Sequence, residues 1–266
     1  MSRHNVFWGI ILVLIGALFL GDTLGGFSFG FRLLWPLLII AVGVYVLLGS
    51  SWASGANVET QEVSVPLEGT KAATVKLEHG AGRLRISGAA PKSQLLAGHF
   101  DAMRLESRKS GSKLDARLRT SVEDSVVTIF PWNWNRTRRE WDFSLNPDIP
   151  ISLKIETGAS ENRLDLSELM IESLDIDTGA SSTTVVMPKK AGHTKAEISG
   201  GAASFEVTIP KGVAARIEVQ SGLGSVNVDE ERFPRSGKAY QSENYKSAAN
   251  TLDLRIEVGV SSVTIR

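Results

Sequence analysis

The apolar residues of this chain follow two different rhythms. From Val6 to Leu20 every position is apolar or glycine, Asp22 follows at once, and a Gly/Phe/Ser segment from Gly25 to Arg32 leads into a second apolar run, Leu33 to Gly49. A bilayer core takes about 20 residues of helix, with a range of roughly 17 to 25. The second run meets that length, and the first meets it when Asn5 and Gly21 sit at headgroup level. Trp8 and Trp35 lie near the run ends, where amphipathic rings favour the membrane interface. A cleaved secretory signal is the rival reading of the first run. It is disfavoured by a weak basic start (Arg3, His4), by the lack of an Ala-x-Ala pattern near residues 21 to 26, and by the second span that follows so soon. Pro36 fits the first turn of the second helix, where its missing N–H is not needed.

After a small, polar stretch that reads as a flexible tether, the rhythm changes to period two. Leu153-Lys-Ile155 and Leu252-Asp-Leu254-Arg-Ile256-Glu-Val258 alternate apolar with polar, as half-buried strands do. Glycine punctuates this region at fixed spacing. Gly158, Gly179, Gly201 and Gly222 are separated by 21, 22 and 21 positions. The columns before them keep the same offsets: Leu153, Leu174, Ala196, Ile217, and then Ile155, Ile176, Ile198, Val219. So do the columns after them: Leu164, Val185, Val207, Val228, and then Leu166, Met187, Ile209. A polar column of Glu156, Asp177, Ser199 and Gln220 runs between. The spacing predicts a repeating unit of strand, glycine turn, strand and second turn, with Pro188-Lys189 and Pro210-Lys211 at the second turn. Each unit buries its apolar columns only against its neighbours. Glycine at the first turn implies either positive φ or close backbone approach. Leu77-Glu-His-Gly80 and Ile256-Glu-Val-Gly259 echo the motif and are expected to form the end coils. Residues 232 to 249 read as a surface excursion between the last two.

These patterns divide the chain into a transmembrane helical hairpin over 1–52 (spans about 5–21 and 33–50), a linker over 53–62, the N-terminal part of a β domain over 63–147, and a repeat part over 148–266. The expected fold class is an all-β soluble domain, a β-solenoid or a sandwich of stacked repeats, behind a two-helix membrane anchor. Two spans make a multi-pass protein of the cell membrane with both termini on one side. Arg3 outside the hairpin against Arg32 inside it leans slightly toward a cytoplasmic β domain.

Composition narrows the function. Lys+Arg and Asp+Glu are both 29, so the net charge is zero and no basic footprint for nucleic acid exists. Cysteine is absent, which removes disulfide and thiolate chemistry. The histidines His4, His79, His99 and His193 have no metal-ligand spacing. Gly222-Leu-Gly224 starts like a dinucleotide fingerprint but lacks the third glycine and the helix. No catalytic residue, cofactor or metal site is therefore expected, and the protein is read as non-enzymatic. Glu156, Asp165, Asp175 and Asp177 fall in outward columns and read as a solvated face.

Two features offer contact surfaces. Trp132, Trp134, Arg136, Arg138, Arg139 and Trp141 combine aromatics with guanidiniums, suited to anionic headgroups or a protein partner. The competing and plainer account is a hairpin whose tryptophans close one end of the repeat stack. Lys189, Lys190 and Lys211 align into a ridge that suits lipid phosphates, although such lysines more often guard a sheet edge from unwanted pairing.

The residues also carry a family resemblance. Trp8-Gly9, Ile15-Gly16 and Leu34-Trp35-Pro36 through Gly43 resemble the LiaI/LiaF-like transmembrane region. Trp141 through Pro150, Gly158-Ala-Ser160, Leu164-Asp-Leu166 and Gly179-Ala-Ser181 are similar to the toast-rack β domain of the cell-wall-active antibiotic response proteins. The resemblance implies a LiaF-like regulator or sensor in bacterial cell-envelope stress. Its implied partners are the lipid bilayer and a sensor histidine kinase or other membrane protein. The alternative is a structural scaffold that self-associates through its β-repeats at the membrane.

Overall fold

The computed structural model describes residues 60–101, 103–120 and 139–266, all within one compact unit, Asn57–Arg266. The predicted spans lie outside the described residues. Among the described residues no helix is long and apolar enough to cross a membrane.

The unit is all β. Its strands in chain order are β1 (Thr60–Pro66), β2 (Ala72–Ser87), β3 (Gln94–Asp101), β4 (Met103–Ser110), β5 (Lys113–Thr120), β6 (Arg139–Leu145), β7 (Pro150–Asp165), β8 (Met170–Val186), β9 (His193–Thr208), β10 (Ala214–Val228), β11 (Arg235–Ser236), β12 (Ala239–Gln241) and β13 (Thr251–Ile265). Six of them, each 15 to 17 residues long, form the body: β2, β7, β8, β9, β13 and β10 pair in parallel in that spatial order.

Each long strand runs through the predicted glycine turn without a break and bends there. In β7, Ile151, Leu153, Ile155 and Thr157 are buried, Gly158 and Ala159 both face outward, and burial resumes at Asn162 and Leu164. The inward parity thus switches from odd to even at the glycine, as one extra residue in a strand does. The switch turns one strand into two arms whose inward rows belong to a single apolar core. A parallel sheet normally needs helices on both faces; here the sheet folds over its own core.

The corner glycines stack. Gly80, Gly158, Gly179, Gly201, Gly259 and Gly222 occupy one ladder, bracketed by paired neighbours on both sides. None has a positive φ. Close approach is what selects five of them, Gly80 being the exception: a Cβ at Gly158 would lie 2.4 Å from the Gly80 carbonyl oxygen, at Gly179 2.9 Å from that of Gly158, and at Gly201 3.0 Å from that of Gly179. Hydroxyls clasp two of the corners. Ser160 Oγ donates to Thr157 Oγ1 at 2.9 Å, and Ser181 Oγ to Thr178 Oγ1 at 3.0 Å.

Two expectations change at the ends of the stack. The last strand in sequence is not an end coil: β13 inserts between β9 and β10, so Gly222 stacks on Gly259 rather than on Gly201. The segment between β10 and β13 is more than a surface excursion. It holds β11 and β12, covers Arg216 and Ile217 of β10, and buries Phe233. It is the return path that lets the chain re-enter its own sheet. At the opposite end, Gly80 does belong to the outermost long strand. Beyond it the two arms of β2 take different partners, the first arm β5 and then β4, the second β6, then β3, then β1. Trp141, Phe143 and Phe100 fill this cap.

Thermal unfolding of the detergent-solubilised full chain tests the ladder. Gly158→Ala drives a methyl into backbone and is expected to cost about 1–3 kcal/mol. Gly80→Ala, on the outermost long strand with nothing within 4 Å of its Cβ, is expected to change stability by less than about 0.5 kcal/mol.

Candidate functional site

The outward face of the first arms carries most of the organised chemistry. Parallel, in-register pairing puts equivalent residues side by side and builds rows across the sheet. One row runs Arg117, Lys76, Lys154, Asp175, Glu197, Arg255, Glu218, and the next runs Arg119, Glu78, Glu156, Asp177, Ser199, Glu257, Gln220. The second row is mostly acidic, and cations of the first reach across to it. Lys76 Nζ is 2.9 Å from Glu78 and 3.0 Å from Glu156, and Lys154 Nζ is 3.4 Å from Glu156 and 3.0 Å from Asp175. Arg117 Nε donates to Glu78 at 2.9 Å, which extends the chain of ion pairs over four strands.

These contacts shift the groups involved. The bond to Glu78, then that to Glu156, raises the Lys76 ammonium, and Asp175 raises Lys154. Lys76 holds the Glu156 carboxyl below its ordinary value. For Glu78 partial burial pulls upward, and the bonds from Lys76 and Arg117 outweigh it, so the net direction is down. Exposed pairs of this kind contribute about 0–1 kcal/mol each; their role is to fix the pattern of charge. Farther along the same face a shallow depression of about 260 Å³ is lined by Lys195, Glu197, Arg216, Glu218, Asp253 and Arg255. Tyr245, from the segment between β12 and β13, reaches this area. Burial first and its bond to Asp253 second push its hydroxyl up to about 12. The face presents fixed charges of both signs on a rigid sheet, which suits recognition of a polar surface.

The residues singled out from sequence are scattered. Trp132, Trp134, Arg136 and Arg138 lie outside the described residues. Trp141 is fully buried on β6, its indole N–H donating to the Asp101 carbonyl at 3.0 Å, so it offers no surface to a partner and closes the end of the stack instead. Arg139 is also buried, at the start of β6. Lys189 and Lys211 follow the C-terminal ends of the adjacent mid-stack strands β8 and β9; Lys189 is ion-paired with Glu168, while Lys190 and Lys211 are exposed.

One histidine that the sequence marked only as lacking metal-ligand spacing is a buried, unpartnered polar group. His79 lies on the inward row of β2, 1% exposed, with its ring 4.7 Å from that of Trp141. Neither ring nitrogen has a hydrogen-bond partner among the described residues. Burial, and secondarily the Arg139 charge, lowers its pKa to about 4. Its register with Thr157 and Thr178 was the available signal, because that column faces inward throughout.

The lowered pKa predicts a pH dependence. The folded value of about 4 lies below the ordinary 6.5, so the unfolded chain takes up the proton first. The stability contribution is complete above pH 6.5 and falls as pH drops from 6.5 to 4, by about 3 kcal/mol at most. His79→Leu is expected to flatten thermal stability over this window. The Glu78 and Glu156 contributions, present above the ordinary value of 4.5 and lost as pH falls below it, should persist over most of this window.

Comparison with known families and structures agrees with this architecture. The family described as the N-terminal domain of toast_rack, DUF2154, matches residues 54–209, and the LiaI-LiaF-like transmembrane region matches residues 6–47. A solved structure from Clostridium sporogenes, described as a "putative cell adhesion protein", is similar with a TM-score of 0.71 and 23% identity, covering 78% of this chain and 98% of that one. Comparison with curated proteins finds no match.

Proposed function

Because this chain belongs to the toast-rack family, with a LiaI-LiaF-like region that marks it as a membrane protein, we propose that it is a non-enzymatic regulator or sensor of the bacterial cell envelope. In this reading the β unit docks a membrane protein, a sensor histidine kinase being the leading candidate, and the membrane region passes the bound state on. The observation that carries the proposal is the ion-paired lattice from Arg117 through Glu78, Lys76, Glu156 and Lys154 to Asp175. Its side chains are engaged with one another on an open, rigid face, which supports recognition rather than bond-making chemistry. Charge patterning of this kind contributes to partner choice and association rate more than to raw affinity.

The scaffold alternative needs both ends of the stack free to propagate. The β5–β4 and β6–β3–β1 strands close one end, which weighs against an open-ended polymer of coils.

In-membrane crosslinking and capture of the full chain tests the proposal. A kinase or another envelope protein should be recovered. The double charge reversal Lys76→Glu with Lys154→Glu should reduce that recovery about tenfold while leaving the thermal transition of the β unit in place. Recovery of no membrane partner, or recovery indifferent to the reversal, would count against docking through this face. A reporter fused after Arg266 assigns the side of the membrane, with cytoplasmic signal expected for direct contact with a kinase.

A further inference from the structure

At its β10 end the stack has a half-edge to which no strand is paired among the described residues. The second arm of β10, Leu223–Val228, pairs with β13 on one side, while β12 reaches only Arg216 and Ile217 of the first arm. Among the described residues nothing pairs with the outer edge of that second arm. The large exposed hydrophobics, Leu223 at 72%, Val260 at 58% and Val226 at 38%, all gather here.

Other edges of the molecule are guarded. β4 carries Arg104, Glu106, Arg108 and Lys109, and β1 carries Glu62 and ends on Pro66. Charges and proline are what exposed edges use to refuse a further strand. From Gln220 to Val228 there is no charge and no proline. We propose that this half-edge of β10 is a homodimerisation site, at which the second arm pairs antiparallel with the same arm of a second copy about a two-fold axis near Ser225.

Two observations favour a second copy as the occupant. The first is charge: a neutral strand meets its own copy without like-charge repulsion, whereas an acidic or basic peptide finds no counter-charge along it. The second is shape. With Ser225 on the axis, Val226 of each copy faces Gly224 of the other, and Leu223 faces Asn227. Gly224 accepts no side chain, since its φ is +145° and a Cβ would lie 1.7 Å from the Ser261 carbonyl oxygen. The half-exposed Val226 thus meets a position that stays bare, and the two apolar cores become continuous. A two-fold contact is isologous and closes at two copies.

The absence of cysteine from the natural sequence allows a direct test in membranes with the full chain. Facing residues in an antiparallel pair have Cβ atoms about 4.5–5.5 Å apart, within reach of a disulfide or a short bis-maleimide. Ser225→Cys is expected to give a crosslinked species of twice the monomer mass. Ser107→Cys on the charged β4 edge and Ser182→Cys in mid-stack should stay monomeric. Adding Leu223→Lys, an exposed substitution that spares the core, to Ser225→Cys should cut the dimer about tenfold. A monomeric Ser225→Cys chain would overturn the proposal, showing the edge covered by other means. An adduct of another mass would overturn it in favour of a different protein, and dimer yields equal across the three cysteine variants would reveal collision rather than pairing.

Discussion

The close approach of backbone at a stacked corner governs this molecule. A parallel sheet wide enough to bury a core must either be covered by other elements or fold on itself. Folding requires every strand to bend at the same height. At that height the chains pass so near one another that a Cβ would lie 2.4 to 3.0 Å from a neighbouring carbonyl oxygen. Only glycine meets that condition, and the parity switch that accompanies the bend sends the following side chains into the same interior. Outward charges and inward aliphatics then follow from one alternation read on either side of the corner.

The interior is not purely apolar, and its polar groups are placed with the same regularity. Asn162 donates to Thr183 at 2.9 Å within the core, in the row that also holds Leu84, Phe205 and Val263. Asn146, fully buried, donates to the Gln94 carbonyl at 2.8 Å and ties the cap strands to the start of the repeats. His79 is buried beside Trp141 with neither ring nitrogen hydrogen-bonded among the described residues, and Thr70 Oγ1, Arg119 Nε and Asn162 Oδ1 likewise lack a hydrogen-bond partner. An unsatisfied polar group costs stability, and the place of His79 where the regular stack meets the irregular cap is where two packing patterns must be reconciled.

The patterned surfaces derive from the corner as well. In-register parallel stacking turns isolated lysines and glutamates into rows, so that a charge pattern spans strands far apart in sequence. The same stacking leaves ends, and the ends differ. One is closed by antiparallel strands around three aromatic side chains, the other only half covered by a short hairpin. Among its described residues this member of the toast-rack family therefore presents a patterned face and an unguarded half-edge, two surfaces of different chemistry on one β unit.

The sequence by itself determined the repeat. Offsets of 21 and 22 residues fixed the strands, the corner glycines, the inward columns and the outward carboxylates, because each of these depends on local alternation and on contact between equivalent positions. It did not determine the order of the last two strands. The inward columns of β10 and β13 stand at the same offsets from their corner glycines, so periodicity alone carries no information on which lies next to β9. Tertiary structure decided it by burial: β13 brings Leu252, Leu254, Ile256, Val258, Val263 and Ile265 to a place between two strands, while β10, with Ser221, Gly224 and Val226 in its rows, takes the end. For Trp141 the sequence offered a surface contact and, as the plainer account, a closure of one end of the stack, and the meeting of β2, β3 and β6 around it decided for the core.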